Sequence, residues 1–169
     1  AEGERRAFRH PLGDAHARLS RQFKERTVTK VYLALVQGRM AEDEALVDAP
    51  IGRHPRDRKR MAVVNSGRAA TTRYRVISIY DGYALIEARP TTGRTHQIRV
   101  HLASIGHPIV GDDTYGKAHP ALGRPFLHAH MLGFQHPSTG ELLELKSEIP
   151  EDLRSFLDAL APTAGSNPP

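Results

Sequence analysis

The stripe Leu12, His16, Leu19, Phe23 recurs at helical spacing, and Pro11 suits a helix's first turn. Lys30–Gln37 (KVYLALVQ) is β-branched and aromatic and is closed by Gly38, which predicts a strand. Leu46–Ile51 predicts a short strand and Met61–Val64 another, with a turn at Asn65-Ser66-Gly67. Residues 70–79 and 83–89 are two strand-like runs around Asp81-Gly82, a strong hairpin signal. Thr95 is placed to cap a helix over His96–Ile105, with Ile98, Leu102 and Ile105 on one face and Gly106 past its end. Phe126–Phe134 and Leu142–Lys146 predict strands joined by the turn 136–140. A helix from near Pro150 buries Leu153, Phe156, Leu157 and Leu160. Strands in antiparallel runs with a few interspersed helices predict an α+β fold, its sheet mostly antiparallel or mixed. The organisation is an unassigned segment over residues 1–10, one domain over 11–160, and a Pro-, Gly- and Ser-rich tail over 161–169 expected to be disordered.

Composition narrows the function classes. The 169 residues contain no cysteine, so disulfides, thiolate metal sites and a cysteine nucleophile are excluded within them. No apolar run approaches the roughly 20 residues that span a bilayer, and no signal segment opens the chain; cytoplasmic residence is the expectation. The net charge is +5, a balance that suits a polyanionic partner. Its distribution says more. Residues 52–75 hold Arg53, Arg56, Arg58, Lys59, Arg60, Arg68, Arg73 and Arg75, eight of the 24 Lys and Arg, against Asp57 alone. Either a solvated loop or a phosphate-binding surface accounts for that cluster.

The densest group of unusual residues is Thr92-Gly93-Arg94-Thr95-His96-Gln97-Ile98-Arg99-Val100-His101. A strand ends at Arg89-Pro90, a glycine permits a tight turn, and a helix follows. Such a turn can aim Arg94 into a cleft, where its fork pairs with a carboxylate or phosphate. A bridge between surface loops is the plainer reading of Arg94.

The run TGRTHQIRVHLASIGHPIVGDDTYG (Thr92–Gly116) closely resembles the signature of the RluA-type pseudouridine synthases. Three further segments resemble that family in its own order: Gln22–Arg39, which looks like the stretch carrying its active-site tyrosine; Ile51–Val63, similar to its basic insertion; and Phe126–Leu153, similar to its C-terminal strand-and-helix block. The resemblance covers about residues 15–160. It implies a pseudouridine-synthase-like fold and an enzyme that isomerises uridine in structured RNA, ribosomal or transfer, with no cofactor and no metal. An aspartate attacks the target nucleotide, the glycosidic bond breaks, the base rotates and a base removes the C5 proton. The target base must first be flipped out of its stack. By the same resemblance, Tyr32 stacks on the flipped base and is the proposed C5 base, and Arg94 pairs with the nucleophilic aspartate. Leu127 walls the pocket, with Leu132 as the competing choice. Arg53, Arg56, Arg58, Lys59, Arg60, Thr95, His96, Arg99 and His101 are the candidate RNA-binding residues.

The family's nucleophile lies in a motif close to His-Arg-Leu-Asp followed by Thr-Ser-Gly, upstream of the segment matching Asp14-Ala15-His16. No stretch of residues 1–13 spells it. His10-Pro11-Leu12-Gly13-Asp14 mimics its start with one residue too many and no Thr-Ser-Gly. Asp14 is therefore the remaining candidate, and reads better as an N-cap or surface acid. The expectation is an N-terminally incomplete domain that binds RNA weakly without isomerising uridine, with an open sheet edge. The alternative is a non-catalytic RNA-binding module or an inactive fragment. A metal hydrolase reading of the ten histidines is not favoured. His128 and His130 share a strand face, and Asp112-Asp113 adds carboxylates, but His96 and His101 diverge by about 140° on a helix and no HExxH is present.

Overall fold

The computed structural model describes residues 11–160. In chain order the elements are α1 (Pro11–Glu25), β1 (Thr29–Gln37), β2 (Glu44–Asp48), β3 (Ile51–Arg53), β4 (Met61–Val63), β5 (Thr71–Tyr80) and β6 (Tyr83–Pro90). They continue with α2 (Gln97–Ser104), β7 (Leu127–Gln135), β8 (Leu142–Lys146) and α3 (Glu151–Asp158). Six strands form one sheet in the order β2-β5-β6-β1-β7-β8, and β3 pairs with β4 in a separate ribbon. Every pairing is antiparallel. The fold is α+β, as the pattern predicts.

The most apolar strand takes the middle of the sheet. Ala34, Leu35 and Val36 of β1 are completely buried. Beyond Ala34, β7 diverges and segment 108–110 takes its place: Gln37 N–H donates to the Pro108 carbonyl, and Val110 N–H to Leu35. Phe126, Ile109, Val110 and Leu122 then pack with Leu102 of α2 and with Leu153, Phe156 and Leu157 of α3 over the sheet. The expected buried face of the last helix is found, with Leu160 packed at its margin. Asp81-Gly82 closes the β5–β6 hairpin, with Tyr80 opposite Tyr83 and Gly82 at φ 76°, a backbone that glycine adopts without a Cβ penalty.

Four local expectations change. The single strand over Leu46–Ile51 is two, because Pro50, which has no N–H to donate, separates β2 from β3. Thr95 does not cap α2: the N-cap is His96, in the left-handed region at φ 55°, with no side-chain cap. Asp14 lies in the first turn of α1, not before it, where a carboxylate favours the helix dipole. Phe23 is 53% exposed, because α1 meets the sheet mainly through polar bonds at the end of β7. Gln22 exchanges 2.8 Å bonds with the Gln135 backbone, and Arg18 donates to the Pro137 carbonyl at 2.8 Å. Residues 1–10 and 161–169, with the expected tail, lie outside the described residues. No helix among the described residues is long and apolar enough to cross a membrane.

Candidate active site

The turn after β6 is held from inside the protein. Gln97, the first residue of α2, is buried, and its Oε1 accepts both the Arg94 N–H at 3.0 Å and the Thr92 hydroxyl at 2.6 Å. Its Nε2 donates to the Thr71 carbonyl and to Thr72 Oγ1, each at 3.0 Å. The Thr71 N–H reaches Thr92 Oγ1 at 3.2 Å. One glutamine therefore takes over the work of a helix cap and staples the Arg94 turn to β5. The satisfied turn fixes the backbone that carries Arg94. Arg94 Nε donates to the Ala69 carbonyl at 3.1 Å, and no carboxylate among the described residues pairs with its guanidinium.

That turn forms one wall of a cleft of about 240 Å³ whose lining includes Lys30, Tyr32, Thr92, Arg94, His96, Arg99 and Leu127. The volume is below the roughly 300–1,000 Å³ of pockets for drug-sized ligands, a size that suits one nucleobase. Tyr32 comes from β1, Arg94 from the turn and Leu127 from β7. A register shift between Val31 and Tyr32 separates the paired segments of β1 and β7. Leu132, the competing choice for the wall, is paired with Lys30 in the ladder and does not line the cleft. Asp14 does not line it either.

Lys30 was not singled out by the sequence, yet it lines the cleft and donates to the Thr92 carbonyl at 3.2 Å. Partial burial, and then the charge of Arg26, lower its pKa from the ordinary value. No carboxylate among the described residues lines the cleft, so the cations that do leave it receptive to anions.

Arg99, which also lines the cleft, makes a fork of two 2.7 Å bonds to Asp112, which is fully buried. Burial alone raises the Asp112 pKa. The Arg99 bonds and the N–H groups of Tyr115 and Thr114 outweigh it and hold the carboxyl below its usual range. Tyr115 follows on the same turn. Its ring lies under the guanidinium of Arg99 at 4.9 Å and that of Arg60 at 5.3 Å. Its hydroxyl accepts the Met61 N–H at 3.1 Å and lies 2.9 Å from His96 Nδ1. His96 is edge-on to the ring, and its pKa is lowered by burial first and by Arg99 second, against an opposing effect of Asp112.

The basic segment is an ordered loop between β3 and β4. His54 Nδ1 accepts the N–H groups of Arg56 and Asp57, and Asp57 caps Lys59 N–H. Arg53, Arg56, Arg58 and Lys59 are exposed, while Arg60 is half-buried against Tyr115. Thr95 is exposed at the turn. His101 lies elsewhere: it is fully buried, with Nε2 2.9 Å from the Ala49 carbonyl and Nδ1 2.9 Å from Thr72 Oγ1, so it holds the core rather than a ligand. Both His128 and His130 bond the Ser147 carbonyl. Among the described residues no group of three or more His, Asp or Glu is arranged to hold a metal ion. Gln97, Lys30 and Tyr115 escaped the residue pattern because each acts through contacts distant in the chain. Their presence inside the matched signatures was the one available signal.

Comparison with known proteins identifies the family. The family model described as RNA pseudouridylate synthase matches residues 12–104. A protein of Nitrosomonas europaea named ribosomal large subunit pseudouridine synthase D is 46% identical over 156 residues, covering 87% of this chain and 45% of that protein. An RNA pseudouridine synthase of Chloroflexus aurantiacus, itself uncharacterised, is 50% identical over 141 residues, covering 82% of this chain and 44% of that protein. The structure of human RNA pseudouridylate synthase domain containing 1 superposes with a TM-score of 0.74 at 32% identity, covering 91% of this chain and 66% of that one. The chain spans about half the length of the curated relatives it matches. With a family model matched over more than half of its residues and a fold shared with solved relatives, the chain belongs to the RNA pseudouridylate synthase family.

Proposed function

We propose that this chain supplies the base-binding half of a uridine-isomerising site and acts on structured RNA, with ribosomal RNA the first substrate to test. What supports the reading is that Tyr32, Arg94 and Leu127, drawn from three separate elements, line one base-sized cleft. In that cleft the Tyr32 ring stacks on the flipped uracil and its oxygen receives the C5 proton. Arg94 keeps a nucleophilic aspartate ionised, since a guanidinium beside a carboxylate favours the charged form. Leu127 closes the apolar wall. Arg53, Arg56, Arg58, Lys59 and Arg60 contact phosphates next to the cleft. The role needs no cofactor and no metal.

The reading includes a second statement: the 169 residues alone bind RNA without isomerising uridine. It is supported by the absence of a carboxylate partner for Arg94 among the described residues and of a His-Arg-Leu-Asp motif in the sequence. A chimera in which this chain replaces the matching region of the Nitrosomonas europaea relative tests both. The chimera is expected to form pseudouridine in ribosomal RNA, and Tyr32→Phe or Arg94→Ala to abolish turnover while RNA affinity changes little. The isolated chain is expected to bind the same RNA and leave its uridines unchanged. Loss of affinity without loss of turnover would sink the catalytic assignment, and pseudouridine formed by the isolated chain would sink the second statement.

A further inference from the structure

Tyr115 makes contacts that the site described so far does not use. A phenol hydroxyl has one proton to donate and two lone pairs to accept with. Here the Met61 N–H, which can only donate, takes one lone pair at 3.1 Å. The remaining close partner is His96 Nδ1 at 2.9 Å. Every polar group is satisfied if the hydroxyl donates to Nδ1, and the ring proton then resides on Nε2. No described residue bonds Nε2, and His96 lines the cleft.

The surroundings hold this arrangement in place. Tyr115 N–H is tied to the buried Asp112 at 3.1 Å, and the guanidiniums of Arg99 and Arg60 stand over its ring at 4.9 and 5.3 Å. A Cβ on the next residue, Gly116, would stand 2.8 Å from Pro108, so the turn is closely packed. His96 itself occupies a left-handed backbone at φ 55°. Such a conformation is costly for a residue with a Cβ and persists where its surroundings over-determine it. Partial burial, and then the charge of Arg99, favour the neutral imidazole against the opposing charge of Asp112.

We propose that Tyr115 is a positioning residue that fixes His96 as a neutral Nε2–H donor on the cleft wall, where it hydrogen-bonds a carbonyl oxygen of the flipped uracil. This rests on the uridine reading above. A carbonyl is the matching acceptor because a flipped base is read at its polar edge, whereas the guanidiniums of Arg60 and Arg94 suit phosphate and carboxylate. Through Met61 and Arg60 the same tyrosine ties the basic ribbon to that donor, so the phosphate-contacting loop and the base-contacting histidine share one anchor.

The tautomer is read without RNA or activity, from the ring ¹⁵N shifts of His96 in the full chain at neutral pH. Wild type is expected to show the proton on Nε2 and an acceptor-type Nδ1. Tyr115→Phe, which keeps the ring contacts with both arginines, is expected to shift population to the Nδ1–H form. A wild-type proton on Nδ1, or a tautomer unchanged by Tyr115→Phe, overturns the positioning role. In the chimera, Tyr115→Phe and His96→Ala should each lower kcat/KM about ten-fold, the scale of one hydrogen bond. His96→Gln, which offers an N–H near the same place and leaves Tyr115 untouched, should restore most of it. If Arg94→Ala inactivates but both His96→Ala and Tyr115→Phe leave turnover intact, the uracil contact is wrong and the uridine reading stands. A chimera inactive without any substitution counts against the uridine reading, and the nitrogen shifts still decide Tyr115.

Discussion

His101 shows how one buried side chain sets a pH dependence. The Ala49 carbonyl can only accept, so Nε2 carries the ring proton, and Nδ1 accepts the Thr72 hydroxyl. Thr72 Oγ1 already accepts from Gln97, and a second ring proton would turn this satisfied chain against itself. Burial lowers the His101 pKa below 6.5, outweighing the Ala49 bond and the charge of Asp48, which raise it. A base whose folded pKa is depressed binds fewer protons folded than unfolded. Its contribution to stability is therefore complete above about pH 6.5 and is lost as pH falls through the folded value. Urea midpoints are expected to drop on acidification below pH 6.5, with the His101 ring resonances titrating below that value. A ring titrating at the ordinary value would refute the assigned network. Gln97 belongs to the same circuit, which is why the turn carrying Arg94 and the core beneath it act as one unit.

The β3–β4 ribbon makes the corresponding point for an element. Its loop carries four cations and one acid, yet it is ordered, because Asp57 and His54 satisfy the backbone N–H groups at its tip. The cationic side chains are thereby left for solvent or for phosphate. Phosphate contacts release counterions, so each one lost flattens the dependence of log Kd on log salt by roughly 0.7–0.9. Arg56→Ala, Arg58→Ala and Lys59→Ala are each expected to weaken RNA binding and flatten that slope by about this amount, with thermal midpoints unchanged. Filter binding across a salt series measures it. A slope that does not move in any of the three would show that the ribbon does not touch RNA. Arg60 differs from these, being held over Tyr115, and its replacement should disturb the cleft wall as well.

At the scale of the molecule, the sheet is unevenly covered. Its centre, β1 and β6, is sealed by α2, α3 and segment 105–126, whereas β8 ends the sheet with Leu142 at 70% and Leu145 at 56% exposure. Residues three apart on a strand face opposite sides, so β8 is bare on both. An uncovered apolar edge strand invites pairing with another chain. The isolated chain is expected to self-associate as concentration rises, and Leu142→Lys with Leu145→Glu to suppress this. Sedimentation velocity gives the comparison; association that persists in the double variant would locate the contact elsewhere.

The sequence alone determined what depends on local pattern. β1, the β5–β6 hairpin, β7, β8 and α3 follow from alternating or helical spacing and from Asp81-Gly82, and their limits shift by a residue or two. It also carried the family, because the residues from Thr92 to Gly116 are contiguous. Where a decision depended on chain-distant partners, only the tertiary structure made it. Thr95 looks like a helix cap until Gln97, bonded to β5, supplies that function from inside. Arg99 and His101 share the signature with Arg94, yet Asp112 engages the first and Ala49 with Thr72 buries the second. The choice of Leu127 over Leu132 required the strand register, and Tyr115 required the meeting of a turn, a ribbon and a helix end. Spacing along a chain fixes which residues share a face, but the partner that satisfies a buried donor, or pairs with a charge, is set by folding in three dimensions.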